Sequence, residues 1–124
     1  MTLDRLLEAR LRLLEASGQI DADIAVFVRA AALDLAAAAG RPATDELFGT
    51  LCTHTGLALQ RSRRGEAVSA WDVDHAAELA AHPDAVRAAK ALLDRAAGEL
   101  AVQLPPAEEQ FVALHLAALE RKDA

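Results

Sequence analysis

The chain has 124 residues, a length that fits one domain spanning residues 1–124 and able to bury a core without disulfides or metal. Hydrophobic residues make up 53% and aromatics only 3%, so alanine carries much of the apolar content; alanine favours helix and lets helices approach closely. A net charge of −6 sets the chain against nucleic-acid phosphates and anionic membrane surfaces, and the single cysteine, Cys52, leaves no internal disulfide, as expected of a cytoplasmic protein.

The elements follow in order, and all of them read as helices. Asp4, Arg5, Glu8 and Arg10 interrupt the N-terminus, which therefore lacks the apolar run of a signal peptide. Thr2 is placed to cap a first helix whose stripe is Leu3, Leu6, Leu7, Leu11 and Leu14, and Gly18 to end it. Asp21 or Asp23 caps a second helix running to Gly40, with Pro42 beyond. Its alanine-rich stretch, Ala30 to Ala39, is broken by Asp34 and is too short to cross a bilayer. Thr44 caps a third helix that ends near Arg64 and Gly65 and aligns Leu47, Leu51, His54, Ala58 and Arg61. A long connection follows from Gly65 to His82, with Trp71 and a cap signal, Ser69 to Asp72, that allows a short helical turn. Pro83 opens a fourth helix reaching about Leu100, and Pro105-Pro106 separate it from a fifth, Ala107 to about Arg121. The expectation is an all-α, compact five-helix bundle.

Two of these helices carry a histidine on their apolar stripe. His54, in "LCTHTGLALQR", lies two turns before Arg61; His115, in "LPPAEEQFVALHLAAL", lies two turns after Glu108. Imidazole is the side chain most easily switched near neutral pH, and its ring nitrogens can carry a phosphoryl group. An arginine fork nearby suits phosphate oxygens. Each feature also has a plain explanation. His54 can be a half-buried histidine bonded to a carbonyl, and His115 an ordinary core residue. Glu108, Arg63 and Arg64 each sit where the helix dipole favours their charge. Gly56, inside the third helix, marks either a kink or a close approach, by another backbone or a partner, beside His54. Cys52 falls on a different face from His54 and is not paired with it as a nucleophile. Asp72, His75, Glu78 and His82 have loose metal-ligand spacing without a recognised motif, and surface histidines are the better reading. No metal or other cofactor is expected, and "RSRR" alone does not make a nucleic-acid site.

Together the two histidine motifs resemble the PTS regulation domain of bacterial antiterminators and transcriptional activators. The first is His54 to Arg61 in "HTGLALQR", followed by the glycine of "RSRRG"; the second is "PPAEEQFVALH", with Glu108 and His115 in register. The similarity is strongest over 47–119, and "HPDAVRAAKALLDRAA" is similar to the family's penultimate helix. It implies a non-enzymatic domain of five helices, often a homodimer, phosphorylated on histidine by HPr or an enzyme II component and acting on an effector in transcriptional regulation. His54 and His115 would be the phosphoacceptors, Arg61 a phosphate partner and Glu108 a weaker one. The chain has Thr53 where the family often has an aspartate and Gln110 where it commonly has glycine. It carries one copy of the domain, so any effector would be a separate protein. A helical dimerisation or adaptor module that keeps the fold without phosphate chemistry is the alternative, and a small-molecule or metal binder using the cleft near the histidines is a third. If the two histidines cooperate, the third and fifth helices must cross so that both face a shared surface.

Overall fold

The computed structural model describes residues 2–66 and 75–121, with Arg121 described by its backbone alone. Six helices occur in it: α1 (Arg5–Ala16), α2 (Ala22–Ala39), α3 (Asp45–Arg63), α4 (Ala76–Leu79), α5 (Pro83–Leu100) and α6 (Pro106–Arg121). The expected all-α class holds among the described residues, but the helices number six rather than five. The addition, α4, is a single turn at the end of the long connection, too short to show a periodicity in sequence. Trp71, Ser69 and Asp72 lie outside the described residues. No helix is long and apolar enough to cross a membrane among the residues described.

Local chemistry sets most of the helix ends. The Thr44 hydroxyl accepts from Leu47 N–H at 3.3 Å and caps α3. Gly40 closes α2 in the left-handed conformation, at φ 66°, that glycine adopts without penalty. Pro83 sits at the start of α5. The first cap is not Thr2 but Asp4, whose carboxylate accepts from Leu7 N–H at 2.8 Å and from Asp45 N–H at 3.1 Å. One side chain thus ties the starts of α1 and α3 together. Asp21 holds the cap position of α2 without capping it, because its carboxylate is turned to Gln60 and Arg63.

The core is mostly leucine and alanine, with two buried phenylalanines, Phe27 and Phe48. Leu7, Leu11, Ile24, Phe48 and Leu59 are fully buried, on α1, α2 and α3. α5 and α6 form the most extensive helix pair among the described residues and close the other side through Ala89, Leu92, Val112 and Leu116. Leu6 departs from the expected stripe: it is 67% exposed, while Leu7, Leu11 and Leu14 are buried. The 3–4–7 spacing of those three defines the inward face. Leu6 is rotated about 100° from Leu7 and lines up instead with Leu13, 68% exposed.

Charged clamps lie across the helix pairs. Arg10 on α1 forks onto Asp45 at 2.6 and 3.1 Å and reaches the Thr53 hydroxyl at 3.1 Å. Gly49 makes room for that fork: a Cβ there would stand 2.6 Å from Asp45 Oδ1 and 2.9 Å from Arg10 Nε. Arg29 grips Glu8 at 2.7 Å, and Arg63 grips Asp23 at 2.7 Å and Asp21 at 3.1 Å. Arg63 is therefore an inter-helix tie rather than only a dipole partner. Buried Gln60 completes it, accepting from Asp21 N–H at 2.7 Å and donating to the Asp21 carboxylate at 3.1 Å.

These partners hold Glu8, Asp23 and Asp45 below the usual carboxylate range, through hydrogen bonds from Arg29, Arg63 and Arg10 respectively; Gln60, then Arg63, does so for Asp21. A lowered folded value contributes stability that is fully present above the unfolded value and is lost as pH falls through the folded one. The thermal midpoint is therefore expected to stay level from neutral pH to about pH 5 and to fall below about pH 4, the unfolded carboxylate range. Asp45→Asn is expected to flatten part of that acid decline and to cost no more than about 1 kcal/mol at pH 7, since Arg10 is half in solvent. An identical acid profile for the variant would contradict the assignment.

Candidate functional site

The two histidines lie on one seam between α3 and α6. His54 Nε2 stands 2.5 Å from Glu108 Oε2. His115 Nε2 stands 2.9 Å from the Leu47 carbonyl. Going from Leu47 to His54 on α3 corresponds to going from His115 back to Glu108 on α6, so the helices run antiparallel here. The two contacts are seven residues apart on each helix, which is about 10 Å along the axis. α3 and α6 pack together here, and both histidines lie at their seam.

Both rings are oriented by their contacts. An ionised carboxylate and a carbonyl can only accept, so Nε2 carries the hydrogen in each contact, and Nδ1 is the nitrogen with the lone pair whenever the ring is neutral. Phe111 stacks on His54, with ring centroids 3.7 Å apart and planes 19° from parallel. The His54 and Glu108 side chains are 28% and 15% exposed, so the pair is shielded but reachable. Glu108 lies in the first turn of α6, where the positive end of the helix favours its charge as well.

The other candidates fall differently. Arg61, expected beside His54, is exposed, and its side chain makes no ion pair or hydrogen bond among the described residues. The structure pairs His54 with Glu108 across the seam instead. Thr53 is held by Arg10, so the ring of His54 is anchored from α6 and not by its chain neighbour. Gln110 accepts from His75 N–H at 3.3 Å. Gly56 is buried and faces inward: a Cβ there would meet Ile20 at 3.6 Å and Val28 at 3.8 Å, ordinary contacts within the fold. It opens no approach for a partner. Burial pushes the Cys52 thiol up to about 12, which removes it as a nucleophile at neutral pH.

No cluster of three metal-ligating side chains occurs among the described residues. His75 bonds Glu78 at 3.1 Å and His82 bonds Glu120 at 2.6 Å, so these two histidines of the loose metal set each have a carboxylate of their own; Asp72 is outside the described residues. A groove of about 200 Å³, lined by Leu35, Ala85, Leu116 and Leu119 together with the carboxylates Asp84 and Glu120, lies between the ends of α2, α5 and α6 and includes neither His54 nor His115.

Sequence singles out His54, Glu108 and His115 as candidates, but not the two contacts that orient the rings, the Leu47 carbonyl and the stacking of Phe111. The Leu47 carbonyl leaves no trace in sequence. Phe111 did leave one, since it lies one turn beyond Glu108 on the same side of α6 and is one of only three phenylalanines in the chain. No family model matches the chain, and no curated protein or solved structure does so either.

Proposed function

We propose that this chain is a phosphorylation-responsive regulatory domain, with His54 as the principal phosphoacceptor and His115 as a second. The observation that carries the reading is the His54–Glu108 contact at 2.5 Å, half-shielded at a helix seam. With Glu108 holding Nε2–H, the Nδ1 lone pair of His54 is the nucleophile. It forms a P–N bond to the incoming phosphorus while the donor's own bond to that phosphorus breaks, its electron pair returning to the donor. The imidazolium that develops is stabilised by Glu108, as a carboxylate does for a catalytic histidine. The phosphoryl group then brings nearly two negative charges to a ring already facing a carboxylate, so the contact that fastened α6 to α3 turns repulsive. His115 lies on α6 two turns from Glu108 and bonds the Leu47 carbonyl of α3, so a shift of α6 reaches it directly. Arg61, exposed two turns from His54, is free to meet a donor or an added phosphate. HPr or an enzyme II component is the class of donor proposed, with the response read by a second copy of the chain or by a separate effector.

Incubation with phosphoenolpyruvate, enzyme I and HPr from the same host, followed by intact-mass analysis, tests this. An adduct is expected that is strongly reduced in His54→Ala and absent from the His54→Ala/His115→Ala double variant. If HPr is itself phosphorylated and neither it nor an enzyme II donor labels the chain, or if the double variant still labels, the reading fails. A second reading is favoured by one specific observation: both Nε2 atoms are engaged within the fold, as in a purely structural adaptor. It predicts no adduct, with partner binding unchanged in variants that still fold.

A further inference from the structure

α1 carries two apolar faces. Leu7, Leu11 and Leu14 are buried in the core, but Leu6 and Leu13 are 67% and 68% exposed. They stand seven residues apart, with exposed Ala9 and Ala16 between and beyond them. Written as a heptad, Leu6 and Leu13 take the a positions and the two alanines the d positions, which is the seam along which helices pair. The alanine positions are shallow and leave room for bulky side chains from a second helix. The flanks are basic. Arg5 and Arg12 take the g positions; Arg5 is exposed, and Arg12 is 76% exposed with only a 3.4 Å contact to Glu8. Arg10, on the other flank, is committed to Asp45 and Thr53.

This charge pattern decides between occupants. Two copies of α1 packed antiparallel along the seam would bring Arg5 of one against Arg12 of the other; packed parallel, Arg5 would meet Arg10 and Arg12 would meet Ser17. Both arrangements put like charges together at the positions that set partner choice. A helix with apolar a and d residues and acidic flanks would instead meet Arg5 and Arg12 favourably. We propose that the outer face of α1 is a docking surface for an acidic amphipathic helix of another protein. The proposal is independent of the histidine chemistry, because neither His54 nor His115 belongs to this face.

The probes are two labelled peptides with leucines at a and d, one carrying glutamates at e and g and the other lysines. Each is titrated with the full chain by fluorescence anisotropy at low salt. The glutamate peptide is expected to bind at least about tenfold more tightly than the lysine peptide, a gap that closes as salt rises. Leu6→Gln/Leu13→Gln is expected to lose that binding with its thermal midpoint unchanged, because both leucines are exposed. Arg5→Glu/Arg12→Glu is expected to reverse the preference toward the lysine peptide. Equal binding of the two peptides, or binding of neither, overturns the proposal. So does a dimer, seen by sedimentation, that Leu6→Gln/Leu13→Gln dissolves, since the seam would then belong to a second copy.

Discussion

Phe48→Ala is expected to destabilise the fold by about 3–5 kcal/mol, the usual cost of emptying a buried phenylalanine site. That is a large share of the roughly 5–15 kcal/mol that holds a domain of this size together. Phe48 is fully buried on α3, the helix that packs against α1, α2 and α6. The chain has three phenylalanines, one tryptophan and no tyrosine, and the buried cluster is otherwise mostly leucine and alanine. Alanine has no rotamer with which to fill a cavity, so the walls collapse little and the cost belongs at the upper end of the range. Urea titration followed by circular dichroism reads this as a lower midpoint at an unchanged slope, and the thermal midpoint should drop by roughly 10–20 °C. Leu6→Ala is the control: its side chain is exposed, and its effect should stay within about 0.5 kcal/mol. A loss below about 1 kcal/mol for Phe48→Ala would mean that the core is not centred on this ring.

The contrast between Phe48 and Leu6 marks what the sequence could and could not tell. Caps are local chemistry, so Thr44, Gly40 and Pro83 were legible as helix ends. Thr2 was misread because Asp4, two residues on, offers a better acceptor and is fixed by Asp45 N–H, a contact 41 residues away in sequence. Periodicity assigned the leucines of α1 to one stripe; only packing divides them into an inner face and an outer one. The same limit governed the candidate site. Spacing along a helix says which residues share a face, and it put Arg61 with His54 and Glu108 with His115. It carries no information on the register between helices. The antiparallel register of α3 and α6 exchanges the partners, giving Glu108 to His54 and the Leu47 carbonyl to His115. Arg61 is left exposed, without an ion pair or hydrogen bond among the described residues.

That exchange is testable as an energy. In a double-mutant cycle, His54→Leu and Glu108→Leu are each expected to cost about 1–3 kcal/mol, because each leaves a shielded charged or polar group unpaired. The double variant should cost clearly less than their sum, giving a coupling of about 1–2 kcal/mol. A cycle of His54→Leu with Arg61→Leu should show none beyond about 0.3 kcal/mol, since no hydrogen bond or ion pair joins these two side chains among the described residues. The coupling also bears on regulation. Whatever free energy joins His54 to Glu108 is what fastens the first turns of α6 to α3, and it is what a phosphoryl group on the ring would remove and turn to repulsion. Hydrogen exchange in those turns should then quicken on phosphorylation by about tenfold or more, as a loss of about 1.4 kcal/mol requires. If the His54–Glu108 coupling is instead near zero, the added charge has no hold on α6. His54 could still accept phosphate, but no signal would pass along this seam, and the proposed switch would lose its mechanical link.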